Sequence, residues 1–449
     1  MGRTIILGAA TSGLAAAAYL AKEGARVLVT DRQDEPAGGL PVALVNLGVE
    51  ACWGGHPLEL LEDCREVVLS PGVPPSIPFV QAARDRGIPV VGEVELAHRV
   101  LRQRDPEAKI LAVTGTNGKS TTTDLLAHLL QASGVPTVAC GNLGTPLIEA
   151  LQGAAPGTRF ALECSSYQLE TVAAFHAEAA VLLNLTPDHL ARHGSMETYL
   201  EAKLHVFNHQ APSDLRVLPA GFQVGEVPGQ GKAARFGWGD PVVPGAFCDG
   251  EGWLWLATDT GADKLLHRGE LKIPGDHNVE NALAAVVLAH HGGATLEGLR
   301  EGLRTYPGLA HRIAFCGERD GVRVYNDSKG TNVDATVTAI RALPGPLVLI
   351  LGGEDKGATY APLRPVLEGK LRRLVFVGDA MPMLERDLGD LPHVSIWNFN
   401  EAAAEAFASA QPGDQVLLSP ACASFDQFRS FVHRGEHFEG LVQAWVAQG

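Results

Sequence analysis

The sequence predicts an α/β protein built of three strand-and-helix modules in series. Three observations predict it. Short apolar runs of strand length alternate with helical stretches along most of the chain, the rhythm of a parallel sheet. A glycine-rich turn, "LAVTGTNGKSTTT" at 111–123, stands between one such strand and an amphipathic helix, "DLLAHLLQASG". A later region repeats one design three times, an apolar strand ending in a polar turn, in "VYNDSKGTN", "LILGGEDKG" and "LLSPACASFDQF".

Taken in order, the first module is read from "TIILG", "RVLVTD", "EVVLSPG" and "IPVVG". Its start, an arginine followed by an apolar run, has the look of an export signal. Gly8 and Gly13 interrupt that run, and Lys22-Glu23-Gly24 ends a helix before a second strand, so it reads as strand, turn, helix, strand. Glu93–Arg104 reads as an amphipathic linking helix. The central module opens on "KILAVTG" and adds "RFALECSS" and "EAAVLLNLT". At about 214–274 the texture turns to Gly, Pro and Trp with short alternations such as "GWLWLA", which predicts β-hairpins. A helix follows in "GDHNVENALAAVVLAHHGG", then the third module with "GVRVYND", "PLVLILGG", "RRLVFVGDA" and "DQVLLSPA". The expected domains are 1–92, Rossmann-like; 93–305, a P-loop ATPase-type mixed or parallel sheet; and 306–449, again Rossmann-like.

Composition narrows the function. The formal net charge is −15 with no basic run, which argues against a sequence-independent nucleic-acid binder. Anionic small molecules remain compatible, since local amides and cations can reverse the sign inside a cleft. Seven scattered cysteines without a Cys-x-x-Cys support neither a disulfide framework nor a zinc ribbon and predict reduced thiols. No apolar stretch is long enough to span a bilayer. A cytoplasmic protein is expected.

The loop at 111–123 lacks the glycine that normally stands five residues before the Gly-Lys pair; Val113 holds that place. The remaining Gly115-Thr116-Asn117-Gly118-Lys119-Ser120 still lies between strand and helix. Backbone N–H groups and the helix dipole therefore point at a phosphate, Lys119 reaches the outer phosphates, and Ser120 or Thr121 can ligate Mg²⁺. "GAATSG" at 8–13 is a weakened dinucleotide fingerprint with Ala10 at its second glycine, and Asp31 falls where a ribose ligand would lie. It is either a nucleotide-diphosphate site or a structural turn. Glu163 in "ALECSS" and Asp188-His189 in "LTPDHLARHG" come at strand ends, where open α/β sheets bind ligands. His189 and His193 are spaced to share a helix face, but no glutamate stands between them in the metalloprotease pattern, so Mg²⁺ near the loop fits better than zinc. Lys203 alone reads as a solvated lysine.

Together these stretches resemble the Mur ligase family from end to end. "TGTNGKSTTT" is shared with folylpolyglutamate synthases and accounts for Val113; "YNDSKGTN" and "LSPACASFDQF" resemble the D-glutamate-adding branch. The resemblance implies that ATP phosphorylates the carboxylate of UDP-N-acetylmuramoyl-L-alanine and that D-glutamate attacks the acyl phosphate, in a cytoplasmic step of peptidoglycan synthesis, with domains closing over the substrates. It assigns Gly115, Thr116, Asn117, Gly118, Lys119, Ser120, Thr121, Asn278, Asn281, Arg312 and Asp327 to ATP. Ser120, Glu163, His189 and Lys203 would serve Mg²⁺, in two ions, with Lys203 carbamylated; this reverses its solvated reading. Lys329, Thr331, Lys356, Ser424 and Phe431 would lie near the acyl phosphate and D-glutamate. Lys119, Glu163, His189, Lys203 and Lys329 would carry the catalysis. Ser12, Asp31, Arg32 and Gly72 would face the uridine diphosphate and Asn142 the sugar-peptide, and His189 would also bind substrate. The alternatives are a folylpolyglutamate-type ligase, which would use L-glutamate and ignore UDP-sugars, and a P-loop kinase or nucleotide switch, which would not need the third-module turns.

Overall fold

A computed structural model describes residues 2–142, 144–239, 244–355, 357 and 359–448. Among the described residues, twenty strands fall into three sheets. The first holds β1 (Arg3–Leu7), β2 (Val27–Thr30), β3 (Glu50–Cys52), β4 (Cys64–Leu69) and β5 (Val90–Gly92), all parallel, in the order β3-β2-β1-β4-β5. That is a Rossmann-type order, whose switch point lies between β1 and β4.

The central sheet holds β6 (Lys109–Thr114), β7 (Thr137–Gly141), β8 (Arg159–Glu163), β9 (Ala179–Leu182), β10 (Leu215–Pro219), β11 (Lys232–Trp238), β12 (Gly245–Cys248), β13 (Trp253–Thr258) and β14 (Gly261–His267). Its order is β14-β13-β12-β11-β10-β9-β6-β8-β7. The hairpins expected across 214–274 are confined to its end. β10, β11 and β12 extend the sheet in parallel, and antiparallel pairing begins at β12/β13. Between β10 and β11 the stretch 220–231 explains the difference: it is long enough to carry the chain back along the sheet, whereas a hairpin needs a tight turn.

β15 (Ala314–Arg319), β16 (Val322–Asn326), β17 (Leu347–Gly352), β18 (Leu371–Val377), β19 (His393–Ser395) and β20 (Gln415–Leu418) form the third sheet, ordered β15-β16-β20-β17-β18-β19. All its pairings are parallel except β15/β16.

Two compact units result: 1–270 with 280–305, and 271–279 with 306–449. The first contains both the first and the central sheets, and a shared core shows why. Ile6, Ala16, Val29, Val94, Ala97, Ile110, Phe160 and Leu162 belong to one buried apolar cluster. The helix Glu93–Arg104 runs through it and is buried on more than the single face that an amphipathic linker presents. Its burial includes charge, which has to be paired. Glu95 accepts the backbone N–H of Ala173 at 2.9 Å and of Ala174 at 3.0 Å, and Arg99 Nε at 3.1 Å. Within the second unit, Leu349, Leu351, Leu374, Phe376 and Leu417 pack one face of the third sheet, and Val348, Ile350, Val375 and Phe438 the other.

Candidate active site

β6, the innermost strand to carry a glycine-rich turn, lies between β9 and β8, so three strand ends converge on that turn. Gly118 caps the helix Lys119–Ala132 with φ of +84°. A Cβ there would come within 2.3 Å of Asn281 Oδ1, so the position requires glycine twice over. The loop is strapped to the end of β9. Thr116 N donates to Asn184 O at 3.1 Å, Asn117 N donates to Asn184 Oδ1 at 2.8 Å, and Asn184 Nδ2 donates to Asn117 O at 3.1 Å. Lys119 Nζ folds back onto Gly115 O at 3.0 Å and Thr116 O at 2.7 Å.

A second lysine meets the same loop. Lys203, 1% exposed, donates from Nζ to Gly115 O at 2.7 Å. The helix Met196–Leu204 presents it together with Tyr199, one turn earlier. The Tyr199 hydroxyl lies 3.2 Å from Thr116 Oγ1, and its ring lies under Lys203 Nζ at 4.5 Å. Burial, reinforced by the Lys119 charge, lowers the Lys203 ammonium to about 7, against the attraction of Asp188 and Cys164. The expectation that Lys203, taken alone, is solvated is therefore overturned: the helix turns it into the sheet edge.

Glu163 closes β8 beside the loop, its residue paired with Val113. Its Oε1 accepts Asn142 Nδ2 at 2.8 Å, while Oε2 is buried without a hydrogen-bond partner among the described residues. A buried carboxylate oxygen left unpaired is costly unless a cation completes it. The residues thus fit a hard divalent ion, which takes few carboxylates and fills the remaining positions from hydroxyl, water and phosphate oxygens. No group of three or more His, Cys, Asp or Glu poised for a metal exists among the described residues, so a ligand set made of side chains of that kind alone is not offered here.

His189 is exposed, in a left-handed conformation with φ of +54°, and its ring lies between Tyr167 at 4.9 Å and Tyr199 at 6.3 Å. His193 does not join it as a ligand. Its Nε2 is 3.0 Å from Ser166 Oγ and its Nδ1 is 3.2 Å from Glu170 Oε1, a buried structural contact.

In the first sheet the turns after β1, β2 and β4 adjoin. Ser70 Oγ donates to Gly8 O at 2.8 Å across the switch point, and a Cβ on Gly13 would stand 2.0 Å from Gly8 O. Ser12 occupies the first turn of the helix Thr11–Lys22, and Arg32 and Gly72 are exposed. Asp31 Oδ2 accepts Ala9 N at 2.8 Å and its Oδ1 accepts Gln33 N at 3.0 Å. Burial opposes its ionisation, but those N–H groups and the charges of His56 and Arg32 keep the carboxyl below its ordinary value.

The second unit brings its three polar turns together, because β16, β20 and β17 are neighbours. Ala421 N donates to Gly330 O at 2.8 Å, and Glu354 N to Ala423 O at 3.1 Å. Arg434, 2% exposed, joins two of them: Nε to Ser328 Oγ at 3.0 Å, Nη1 to Ala423 O at 3.0 Å, Nη2 to Ser328 O at 2.9 Å and to Cys422 O at 3.1 Å. Ser328 Oγ donates on to Phe431 O at 2.8 Å. Lys329 N reaches His311 O at 3.0 Å and Thr331 N reaches Lys329 O at 2.9 Å; Ser424 is buried. Burial drives the Asp327 carboxyl up to about 7 against a hydrogen bond from Ser419 and the charge of Arg312, whose own Nε is buried without a partner among the described residues. Asn278 donates to Pro274 O at 2.7 Å. Lys356 lies outside the described residues.

Sequence reasoning missed Asn184, Tyr199 and Arg434. Tyr199 carried a signal, its four-residue spacing from Lys203. Asn184 and Arg434 sit among ordinary loop and helix residues and carried none.

Residues 2–92 match the family model described as "Mur ligase MurD-like, N-terminal domain", 113–231 the "Mur ligase middle domain", and 311–422 the "Mur ligase, glutamate ligase domain". The chain is 42% identical over 454 residues to the UDP-N-acetylmuramoylalanine–D-glutamate ligase of Anaeromyxobacter dehalogenans, covering 98% of this chain and 97% of that protein. It is 38% identical over 451 residues to the enzyme of the same name from Alkaliphilus metalliredigens, covering 98% of each. Among solved structures, UDP-N-acetylmuramate-alanine ligase of Thermotoga maritima superposes with a TM-score of 0.58 at 18% identity, over 99% of this chain and 100% of that one. MurF of Acinetobacter baumannii does so with 0.60 at 17% identity, over 99% and 93%. At such identities the structures share the fold.

Proposed function

The chain belongs to the Mur ligase family, and from that membership we propose an ATP-dependent ligase that joins D-glutamate to UDP-N-acetylmuramoyl-L-alanine, a step of peptidoglycan synthesis. The observation that carries the reading to this branch is full-length identity to ligases of that name. The substrates are small molecules, ATP among them. No helix among the described residues is long and apolar enough to cross a membrane. A nucleotide-sugar substrate and ATP are both cytoplasmic pools, and we assign the enzyme there as a monomer.

A carboxylate is a poor electrophile, so the γ-phosphoryl group passes to the terminal alanyl carboxylate and ADP leaves. The D-glutamate amine then attacks the acyl carbon, sheds a proton, and expels inorganic phosphate from the tetrahedral intermediate. The protein's work is to hold charge in place. The N-terminal turn of the helix Lys119–Ala132 takes the phosphates, with Ser120 and Thr121 at its start, and Lys119 exchanges its loop carbonyls for phosphate oxygens. Magnesium would be held by Ser120, the unpaired oxygen of Glu163, His189 and Lys203, and would supply charge neutralisation at the transferred phosphoryl group.

Lys203 serves that purpose as a carbamate. Its Nζ lone pair adds to the carbon of CO₂, the nitrogen loses a proton to solvent, and an anionic carboxylate replaces the cation. The lowered ammonium supports this step, because the uncharged amine is the nucleophile. The remaining N–H can keep its bond to Gly115 O.

In the second unit the joined turns offer Lys329, Thr331, Ser424 and Phe431, and Lys356 by sequence alone, to the acyl phosphate and D-glutamate. Arg312, with an unpaired Nε, and Asp327 suit ATP. Uridine diphosphate is assigned to the first-sheet turns with Ser12, Asp31, Arg32 and Gly72. Asp31 would have to use lone pairs left over from Ala9 and Gln33.

Phosphate release from ATP tests the reading, measured for each amino acid with and without UDP-N-acetylmuramoyl-L-alanine. Release should require the UDP-sugar and D-glutamate together. Equal release with L-glutamate, or release indifferent to the UDP-sugar, overturns it.

A further inference from the structure

The helix that follows β5 opens with a carboxylate for which the reaction has no use. Glu93, 2% exposed, accepts the backbone N–H of Ile148 on Oε1 at 2.9 Å, in the first turn of the short helix Leu147–Ala150. Its Oε2 is buried with no hydrogen-bond partner among the described residues. Burial pushes the carboxyl up to about 7. Its neighbour Val94 shares one buried cluster with Ile148, with Cys140 on β7 and with Cys164 just past β8.

Those strand ends carry Asn142 and Glu163. Gly141 N donates to Thr145 O at 2.8 Å and closes the turn. Asn142 gives its backbone N–H to Glu163 O at 2.9 Å and its Nδ2 to Glu163 Oε1 at 2.8 Å. Asn142 is thus tied to Glu163 and Ile148 to Glu93, with Leu147 and Ile148 buried in the apolar core beside them. We propose that Glu93 is a positioning residue for the ligation: by gripping Ile148 it fixes the backbone leading back to Thr145, whose carbonyl holds Gly141, so that the adjoining Asn142 carboxamide occupies one oxygen of Glu163 and leaves the other for the cation. The proposal rests on the cation-binding reading of Glu163 given above. It makes the helix between the first two sheets part of the catalytic frame.

Four variants test it: Glu93→Gln, Glu93→Met, Asn142→Ala and the Glu93→Met/Asn142→Ala double variant. Glu93→Gln retains an acceptor for Ile148 N–H and should keep kcat within about threefold of wild type, whereas Glu93→Met should lose about tenfold in kcat, the value of one buried hydrogen bond, with the KM for ATP nearly unchanged. In the Asn142→Ala background, Glu93→Met should cost about twofold or less, because both act through the same turn. Hydrogen exchange at the Ile148 amide should accelerate in Glu93→Met and not in Glu93→Gln. An equal loss from Glu93→Met in both backgrounds, unchanged Ile148 exchange, or a Glu93→Met enzyme with wild-type kcat overturns the proposal. Should Glu93→Met not fold, Glu93→Gln decides alone, since a tenfold loss there contradicts it. The exchange measurement needs no turnover, so it reports on Glu93 even if wild-type enzyme ignores D-glutamate.

Discussion

Lys119 and Lys203 donate to one acceptor, the carbonyl oxygen of Gly115, at 3.0 and 2.7 Å. Burial first, and then the charge of Lys119 across that shared oxygen, lowers the Lys203 ammonium to about 7. The carbamate proposed for Lys203 would remove the repulsion between the two lysines and would present an anion to Mg²⁺.

Gly118→Ala should raise the KM for ATP by about tenfold or more and destabilise the protein by about 1–2 kcal/mol. The added Cβ meets Asn281 Oδ1 at 2.3 Å, and the backbone there is left-handed. Steady-state kinetics with ATP varied, beside a thermal melt, checks both.

Asn184→Ala removes both halves of its reciprocal pair with Asn117, at 2.8 and 3.1 Å. At about 1 kcal/mol for each bond, ATP should bind roughly thirtyfold more weakly, with UDP-sugar binding unchanged. Asn184→Asp keeps the acceptor for Asn117 N–H and should fall between the two. Calorimetric titration with a non-hydrolysable ATP analogue separates them.

Arg434→Met should leave three buried carbonyls and the Ser328 hydroxyl short of donors. The cost should be about 3 kcal/mol or more, felt as earlier unfolding of the second unit and a raised KM for D-glutamate. Arg434→Lys should not restore it, since one ammonium cannot span the fork. Denaturant unfolding followed by intrinsic fluorescence measures the cost.

Glu93 gives a pH prediction. Its carboxyl titrates near 7 when folded, above its ordinary value, so the folded protein holds a proton that the unfolded chain releases between about 4.5 and 7. Its contribution is therefore fully present in acid and fades as pH rises through 7. The melting temperature of Glu93→Gln should fall less than that of wild type between pH 5.5 and 8.5; parallel curves contradict the assignment.

β10, β11 and β12, interior to the central sheet, were expected as hairpins; strands such as β6 and β17 were legible in the sequence because they are buried and read as continuous apolar runs, as in "LVLILG" of β17. β3, β7, β15 and β19 were not, and each is an edge strand. β3, with Glu50 and Ala51 exposed, and β15, with exposed Phe315, lack the apolar run that reveals a strand. The loop at Gly115 was legible because phosphate chemistry leaves a local pattern. Lys203 was not legible from its own surroundings: only the fold brings it, 88 residues away, onto Gly115. Asn184 and Arg434 act by hydrogen bonds to backbone, which any side chain of the right length can accept or donate, so their neighbours in sequence carry no mark of it.

Carbon-13 magnetic resonance of the enzyme equilibrated with labelled bicarbonate tests the central claim most directly. Wild type should show a protein carbamate resonance that strengthens as pH rises through 7, that Lys203→Ala lacks, and whose removal by CO₂ depletion abolishes ligation. A wild-type enzyme with no such resonance and full turnover without CO₂ would contradict the account.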